Sequence, residues 1–463
     1  MAEDLELAVG ALVSQQSVYD RYWRYYEGDH PLRYSTQRMA ALFRELDVRF
    51  TQNWCAVVVD AAMDRLNLSG FSVSGNEAVT DQLNGLFRAT ELNLDSDDAH
   101  LAALVCGDSY VIVWKNAETG EPEAFYNDPR FVHIQYDAEN PREKAWAAKW
   151  WVGDDGCYKL TIYYLDRLEY YSTAKPVDRV DSWKAFQPAE EATAPNPFGV
   201  IPVFHLRRER RAIKSELTDA IPLQDAINKL LNDMMVAAEF GAFRQRWVIS
   251  TANVDALRNA PNEIWNLPAG TGGEQGTSVG EFSQTDLSVY LAAIDKLAMS
   301  MAIITRTPKY YMYAQGGDPS GEALITMEAP LVRKCQRYIE RFTTPWRKIA
   351  AFLLQLDGVT VDPDDILPVF DSTETVQPRT EAEIREIGVR TGVPLITLLR
   401  EEGKDGAWLA AMEADSADAK KGQQASLASA LLSAQRQFDQ GGKEVPGQAG
   451  NEVLGRVGNG VEV

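Results

Sequence analysis

The 463-residue sequence contains only four cysteines, Cys55, Cys106, Cys157 and Cys335, widely scattered and without a CxxC pair. Neither a zinc knuckle nor a disulfide framework is indicated, and a reduced, cytosolic place of synthesis fits. Histidine is as scarce: His30, His100, His133 and His205 never fall within four residues of one another. A histidine metal site or triad would therefore need tertiary assembly. Surplus positive charge is lacking too, with 46 Lys+Arg against 67 Asp+Glu and a net charge of -21. A protein that grips nucleic acid statically needs clustered cations, so that class is disfavoured; acidity otherwise serves solubility. Apolar runs such as Leu297 to Ile304 are far shorter than the roughly 20 residues of a bilayer span. The opening MAEDLELAVG has no charged n-region followed by an apolar core, so no signal peptide is expected.

Chemical signatures are missing as well. GxxxxGK[ST], HExxH and GxSxG do not occur, which argues against a P-loop nucleotide site, a zincin and a nucleophile elbow. The glycines at 270, 272, 273, 276 and 280 miss GxGxxG because Gln275 stands where the third glycine belongs. Asp154–Asp155 and Asp364–Asp365 are paired carboxylates in turn-like contexts; a glycosidase pair is defined by spatial separation, which neighbours in sequence do not supply. No catalytic residue, metal ligand or cofactor is assigned.

What is present is an ordinary globular composition, 45% hydrophobic and 24% charged, long enough for several packed units. Residues 3–27 read as an amphipathic helix. Its Tyr19, Tyr22, Trp23 and Tyr26 form a stripe suited to docking on a core, with base stacking the weaker alternative. A helix over 52–66, a strand GFSVSG and helices over 76–92 and 95–106 follow. From about 108 to 186, β-branched and aromatic runs separated by turn residues predict an antiparallel region of six or so strands, closed by the Pro-rich loop PAEEATAPNPFGVIP. The fold class is therefore α+β.

Residues 215–243 read as one long helix capped by Ser215, which Pro222 must kink or begin. The stretch 244–284 leaves helical texture, with strands at RQRWVIS and PNEIWNLPAG and the glycine-rich loop GTGGEQGTSVG. A helix capped by Thr285 spans 285–305, and a Pro/Gly-rich segment precedes a third long helix from about Ser320 to Leu356, with Pro330 and Pro345 expected to bend it. Beyond it come a strand ILPVF, two short helices within 380–403, a helix near 424–439 and a tail with seven glycines in 441–463, expected to be disordered. Charge is uneven: 215–304 carries 11 acidic and 5 basic residues, 322–356 carries 3 and 6, and 357–463 carries 19 and 10. The basic clusters, RRERRAIK at 207–214 included, read as ion-pairing partners first and as phosphate contacts second.

Several segments in series resemble the portal proteins of tailed bacteriophages, in particular the siphovirus type. They are YYEGDHPL (25–32), NWCAVVVDAAMDRLNLSGF (53–71), NPFGVIPVFHL (196–206), SELTDAIPLQDAINKLLNDMMVAAEFGAFRQRW (215–247) and the helix-plus-loop unit 285–321. The resemblance implies a homo-oligomeric ring, commonly of twelve subunits, at one capsid vertex, through which double-stranded DNA is packaged and ejected. It implies a wing over 1–214, a two-helix stem at 215–243 and 285–305, and a clip at 244–284. A tunnel loop at 306–321, a long bent wing helix at 322–356 and a helical crown at 357–463 complete it. Terminase large subunit, a head–tail connector or adaptor, the major capsid protein and scaffolding protein are the implied partners, with no membrane. The chain would be made in the host cytoplasm and end in the virion, and would not be an enzyme.

On that picture Asp233, Glu239, Asp286 and Asp295 are candidates for an acidic channel wall, and Lys296, Arg306 and Lys309 for transient phosphate contacts. Tyr310, Tyr311, Met312, Tyr313 and Gln315 would form the loop, packing on neighbouring loops or meeting DNA. Trp247, Ile264, Trp265 and Leu267 would serve inter-subunit pairing in the clip. Two alternatives stay open: an enzyme whose site is assembled from dispersed carboxylates in the β region, and a DNA-binding regulator using the helices of 380–403.

Overall fold

The computed structural model describes residues 2–31, 51–116, 118–242, 246–249, 278–281, 286–312, 321–374, 385–401 and 412. The chain divides into two units, residues 1–376 and 377–463. The first begins with α1 (Ala2–Glu27), α2 (Trp54–Met63), β1 (Leu68–Val73), α3 (Glu77–Ala89) and α4 (Leu92–Val105). Asn53 and Asn76 cap α2 and α3 by accepting from the backbone N–H groups of Ala56 and Val79, which satisfies donors that a helix start leaves free.

Strands follow: β2 (Asp108–Lys115), β3 (Pro122–Asn127), β4 (Val132–Tyr136), β5 (Lys144–Val152), β6 (Tyr158–Tyr163), β7 (Arg167–Thr173), β8 (Phe186–Pro195) and β9 (Val203–Arg207). The expected single β region is two sheets, an antiparallel β3-β2-β9 and a five-stranded antiparallel β4-β5-β6-β7-β8 meander. Much of the expected Pro-rich loop is strand β8. Pro188 and Pro195 are tolerated because β8 lies at the sheet edge, pairing with β7 alone, so a missing N–H need not break a ladder on its free side.

The remaining elements of this unit are α5 (Ile221–Ala242), β10 (Arg246–Ile249), β11 (Ser278–Glu281), α6 (Ser288–Thr305), α7 (Gly321–Leu356) and β12 (Ile366–Phe370). Helix α5 starts six residues later than expected. Pro222 sits in its first turn, where its lost N–H costs least, and the Ser215 hydroxyl instead accepts from Leu217 N–H in a preceding turn while donating to Val105 C=O. Pro330 and Pro345 both lie inside α7. Strand β12 pairs antiparallel with β1, Val73 opposite Ile366. Residues 357–374, grouped in the sequence with the C-terminal segment, thus belong to the first unit.

The main core is helical. Val58, Val59, Leu83, Phe87 and Leu104 meet Trp346, Ile349 and Leu353 of α7 together with Ala298 and Met301 of α6. Helix α1 is shared between two cores. Leu5, Ala8, Val9 and Leu12 pack on Trp146, Trp150 and Leu160 of the five-stranded sheet, whereas Tyr19 and Tyr25 enter the helical core. The aromatic stripe is therefore a packing device: Tyr19 is buried, and Tyr22, Trp23 and Tyr26 pack partly buried against the same core.

In the second unit, residues 385–390 are helical and a seven-residue helix spans Leu395–Glu401. Gly392, at φ 98°, makes the turn between them. They pack closely enough that a Cβ on Gly388 would lie 2.7 Å from Leu398 Cδ1. The expected helix near 424–439 and the glycine-rich tail lie outside the described residues.

Candidate functional site: a helical pair and the segment that follows it

Helices α5 and α6 pack against one another, and the segments beyond them form the antiparallel β10–β11 ladder, Trp247 opposite Gly280. A Cβ at Gly280 would overlap the Trp247 ring, so glycine there is what lets the indole lie across the ladder. The second strand takes in Ser278, Val279 and Gly280, the end of the glycine-rich loop expected in the sequence. Ile264, Trp265 and Leu267 lie outside the described residues, as does the strand expected at PNEIWNLPAG.

The start of α5 is anchored by a polar network. Tyr25 donates to Asp225 Oδ1 at 2.6 Å. Gln224 accepts from Trp54 N–H at 3.0 Å and donates to the Gln52 carbonyl. Asn228 Oδ1 accepts from Gln52 N–H at 3.2 Å, and its amide meets His30 Nδ1 at 2.9 Å. Gln224, Asp225, Asn228 and Asn232 are all buried. Their spacing along an otherwise apolar helix is a buried polar stripe, and it went unread in the sequence.

The expected channel-wall acids have different surroundings. Asp233 is ion-paired with Lys229 one turn earlier. Asp286 is exposed and accepts from Ser288 N–H at 2.9 Å; this bond and the Ser288 hydroxyl hold its carboxyl below the usual range. That bond satisfies one free donor at the start of α6, whose N-cap position is Leu287; the expected cap, Thr285, lies outside the described residues. Asp295 is half-buried and Lys296 exposed. Glu239 falls within α5.

After α6, Arg306 takes a left-handed C-cap conformation, φ 56°, and Lys309–Tyr311 form one 3-10 turn. Arg306 and Lys309 are exposed. The Tyr310 hydroxyl donates to Glu328 of α7, and its ring meets Tyr311 edge-on at 4.9 Å. Glu328 also binds Arg65 at 3.0 Å. Met312 is buried. These three side chains pack on their own chain; Tyr313 and Gln315 lie outside the described residues.

Helix α6 buries Ile294, Ala298, Met301 and Ala302 but leaves Val289, Leu291, Met299, Ile303 and Ile304 exposed. By length and composition it would suffice to cross a membrane, a property that core helices of soluble proteins share, and 28% of its residues are buried within the chain. Such an apolar face, on a helix with a second buried side, fits a protein–protein contact.

The sequence profile described as phage portal protein, SPP1 Gp6-like, matches residues 14–386. The chain belongs to the phage portal proteins. The portal protein of Mycobacterium phage L5 is 22% identical over 340 residues, covering 66% of this chain and 65% of that relative. The portal match spans both sheets, the α5–α6 pair and α7.

The β region of this portal chain does contain a carboxylate beside a histidine. Asp108 Oδ2 is 3.3 Å from His205 Nε2, Tyr110 donates to the same oxygen at 3.0 Å, and the Tyr136 hydroxyl meets His205 Nδ1 at 3.0 Å. Asp108 and the His205 side chain are buried. Burial lowers the His205 pKa, although Asp108 opposes the shift. Closed to substrate, the group ties β2, β4 and β9 together. Among the described residues no cluster of three or more His, Cys, Asp or Glu could hold a metal ion.

Proposed function

We propose that this portal chain assembles as a closed ring, of twelve subunits, whose α5–α6 pairs form the stem of a channel for double-stranded DNA. The observation that carries the reading is the portal match over 14–386 together with a helical pair whose second helix keeps an apolar face free in the single chain. A head-to-tail interface that closes on itself would cover that face in every copy. The β10–β11 ladder belongs to the clip, with Trp247 at the subunit contact, and 306–321 forms the tunnel loop.

B-DNA carries one negative charge per about 1.7 Å of axis. A lysine- and arginine-coated bore would hold it by counterion release, whereas a mainly acidic wall repels it and leaves a hydrated gap. Asp233, Asp286 and Asp295, with Glu239 of α5, would supply such a wall, whereas Glu216 and Asp225 of the same segment are buried and take no part in it. Lys296 and Lys309, both exposed, give brief phosphate contacts. The work of packaging comes from a separate ATPase, the terminase large subunit, docking on the clip. A connector protein takes that surface later, and the capsid shell surrounds the wing.

Native mass spectrometry of the purified chain tests this. The expected species has twelve times the 51.5 kDa chain mass, and charged substitutions at Ile303 and Ile304 should disperse it. A monomer at every concentration refutes the ring.

A further inference from the structure

Among the described residues, a cavity of about 220 Å³ opens where the β9–α5 connection, the end of α6 and the middle of α7 meet. In a chain of net charge -21 its lining is anomalous. Six cations face it: Arg208, Lys214, Arg306, Lys334, Arg337 and Arg341. Only three carboxylates, Glu209, Glu216 and Asp219, oppose them.

The arrangement is built in layers. At the floor, one buried carboxylate serves two buried cations. Glu216 binds Arg208 Nη1 at 2.8 Å and Lys334 Nζ at 2.9 Å, and it accepts from the Tyr338 hydroxyl at 2.6 Å. Burial by itself would raise the Glu216 carboxyl, but Lys334, Arg208 and Tyr338 together hold it below its ordinary value. It therefore stays charged, and the floor still carries one cation in excess. At the rim, Lys214 pairs with Asp219 at 2.8 Å and Arg208 reaches Glu209 at 3.0 Å. Arg341 spends one nitrogen on the Arg208 carbonyl. Arg306 and Arg337 are exposed and have no ion-pair partner among the described residues. A concavity walled by low-dielectric protein focuses such a surplus, and guanidinium forks suit tetrahedral oxyanions.

We propose that this cavity is a binding site for a phosphate-class oxyanion, held by Arg306, Arg337 and Arg341 above the Arg208–Glu216–Lys334 floor. The inference does not depend on the channel reading, since it follows from the single chain. The oxyanion comes either from free phosphate or pyrophosphate or from the phosphodiester of nucleic acid.

The test is titration calorimetry on the full chain at fixed ionic strength, with inorganic phosphate, pyrophosphate and a short DNA duplex as separate probes and chloride as reference. Arg337→Gln, Arg306→Gln and the double variant are run beside the parent. Both positions are exposed, so folding, checked by circular dichroism, should be retained. Saturable phosphate or pyrophosphate binding, weakened roughly ten-fold in each single variant and lost in the double, supports a free-anion site. The same pattern with the duplex alone supports a nucleic-acid phosphate site. Binding that ignores the substitutions overturns the proposal. So does an absence of binding accompanied by weaker ring assembly in the variants, which would mean that a carboxylate of a neighbouring copy fills the cavity. A monomeric parent that still binds phosphate would sink the channel reading and leave this one standing.

Discussion

Glu216→Gln is the most exacting perturbation of this structure. The carboxylate sits at the junction of the β9–α5 connection and α7, with Oε2 taking Arg208 and Tyr338 and Oε1 taking Lys334. Lys334 and Tyr338 belong to α7, more than 100 residues from Glu216 and Arg208 of the β9–α5 connection, so the carboxylate acts as a tertiary clamp. Glutamine keeps the shape but offers one accepting oxygen, and its NH2 must face a cation. Arg208 and Lys334 remain buried; Lys334 loses its counter-charge, and Arg208 keeps only Glu209 at the rim. Breaking a buried pair by removing one partner costs about 3–5 kcal/mol, and at pH 7 the variant should show a loss in that range. Urea unfolding would read this as a lower midpoint at unchanged slope. Since the folded carboxyl titrates below its ordinary 4.5, its stabilisation is present above that value and is lost as pH falls through the lower folded value. The parent–variant gap should accordingly narrow on acidification. Glu216→Gln combined with Lys334→Met should recover part of the loss, because one stranded cation is gone. A cost below about 1 kcal/mol at pH 7, or a gap that stays constant with pH, would refute the clamp.

Other outcomes follow from single contacts. Gly107→Ala should cost about 2 kcal/mol or more in thermal or urea unfolding, because Gly107 has φ 100° and a Cβ there would lie 2.8 Å from the Lys214 backbone. Tyr25→Phe should cost about 1–3 kcal/mol by leaving Asp225 of α5 without its 2.6 Å donor; unchanged stability would show that the network does not anchor that helix. His100 is fully buried, accepts from Trp346 Nε1 at 2.8 Å, and is pushed down to about 3 by burial. The unfolded chain protonates near 6.5, so stability should hold above that pH and fall between 6.5 and 3, by up to ~5 kcal/mol. His100→Gln should move the acid-unfolding midpoint downward. Lys144, packed over the Phe204 ring and donating to the Ile201 and Val203 carbonyls, is pushed down to about 7 by burial. The unfolded chain holds the extra proton between about 7 and its ordinary 10.5, so this residue should make stability rise with pH across that window, and Lys144→Met should flatten the rise.

Element types and their order were legible in the sequence because they rest on local periodicity. The β-branched and aromatic runs from 108 onward marked strands, and the apolar spacing from Leu223 to Ala238 marked α5. Pro222 marked a break, and the basic clusters at 207–214 and on α7 were marked as ion-pairing partners. Arg208, Lys214 and Lys334 do pair. Tertiary structure alone decided which chain segments meet. Strand β12 finds β1 across some 300 residues, and β8 runs through two prolines because it lies at an edge. Glu216, which local sequence marks only as a charge near a helix start, becomes the counter-ion of Arg208 in its own connection and of Lys334 from α7. Backbone period is set by a residue and its near neighbours, whereas register, burial and the partner of a charge depend on packing between segments that the sequence does not place side by side.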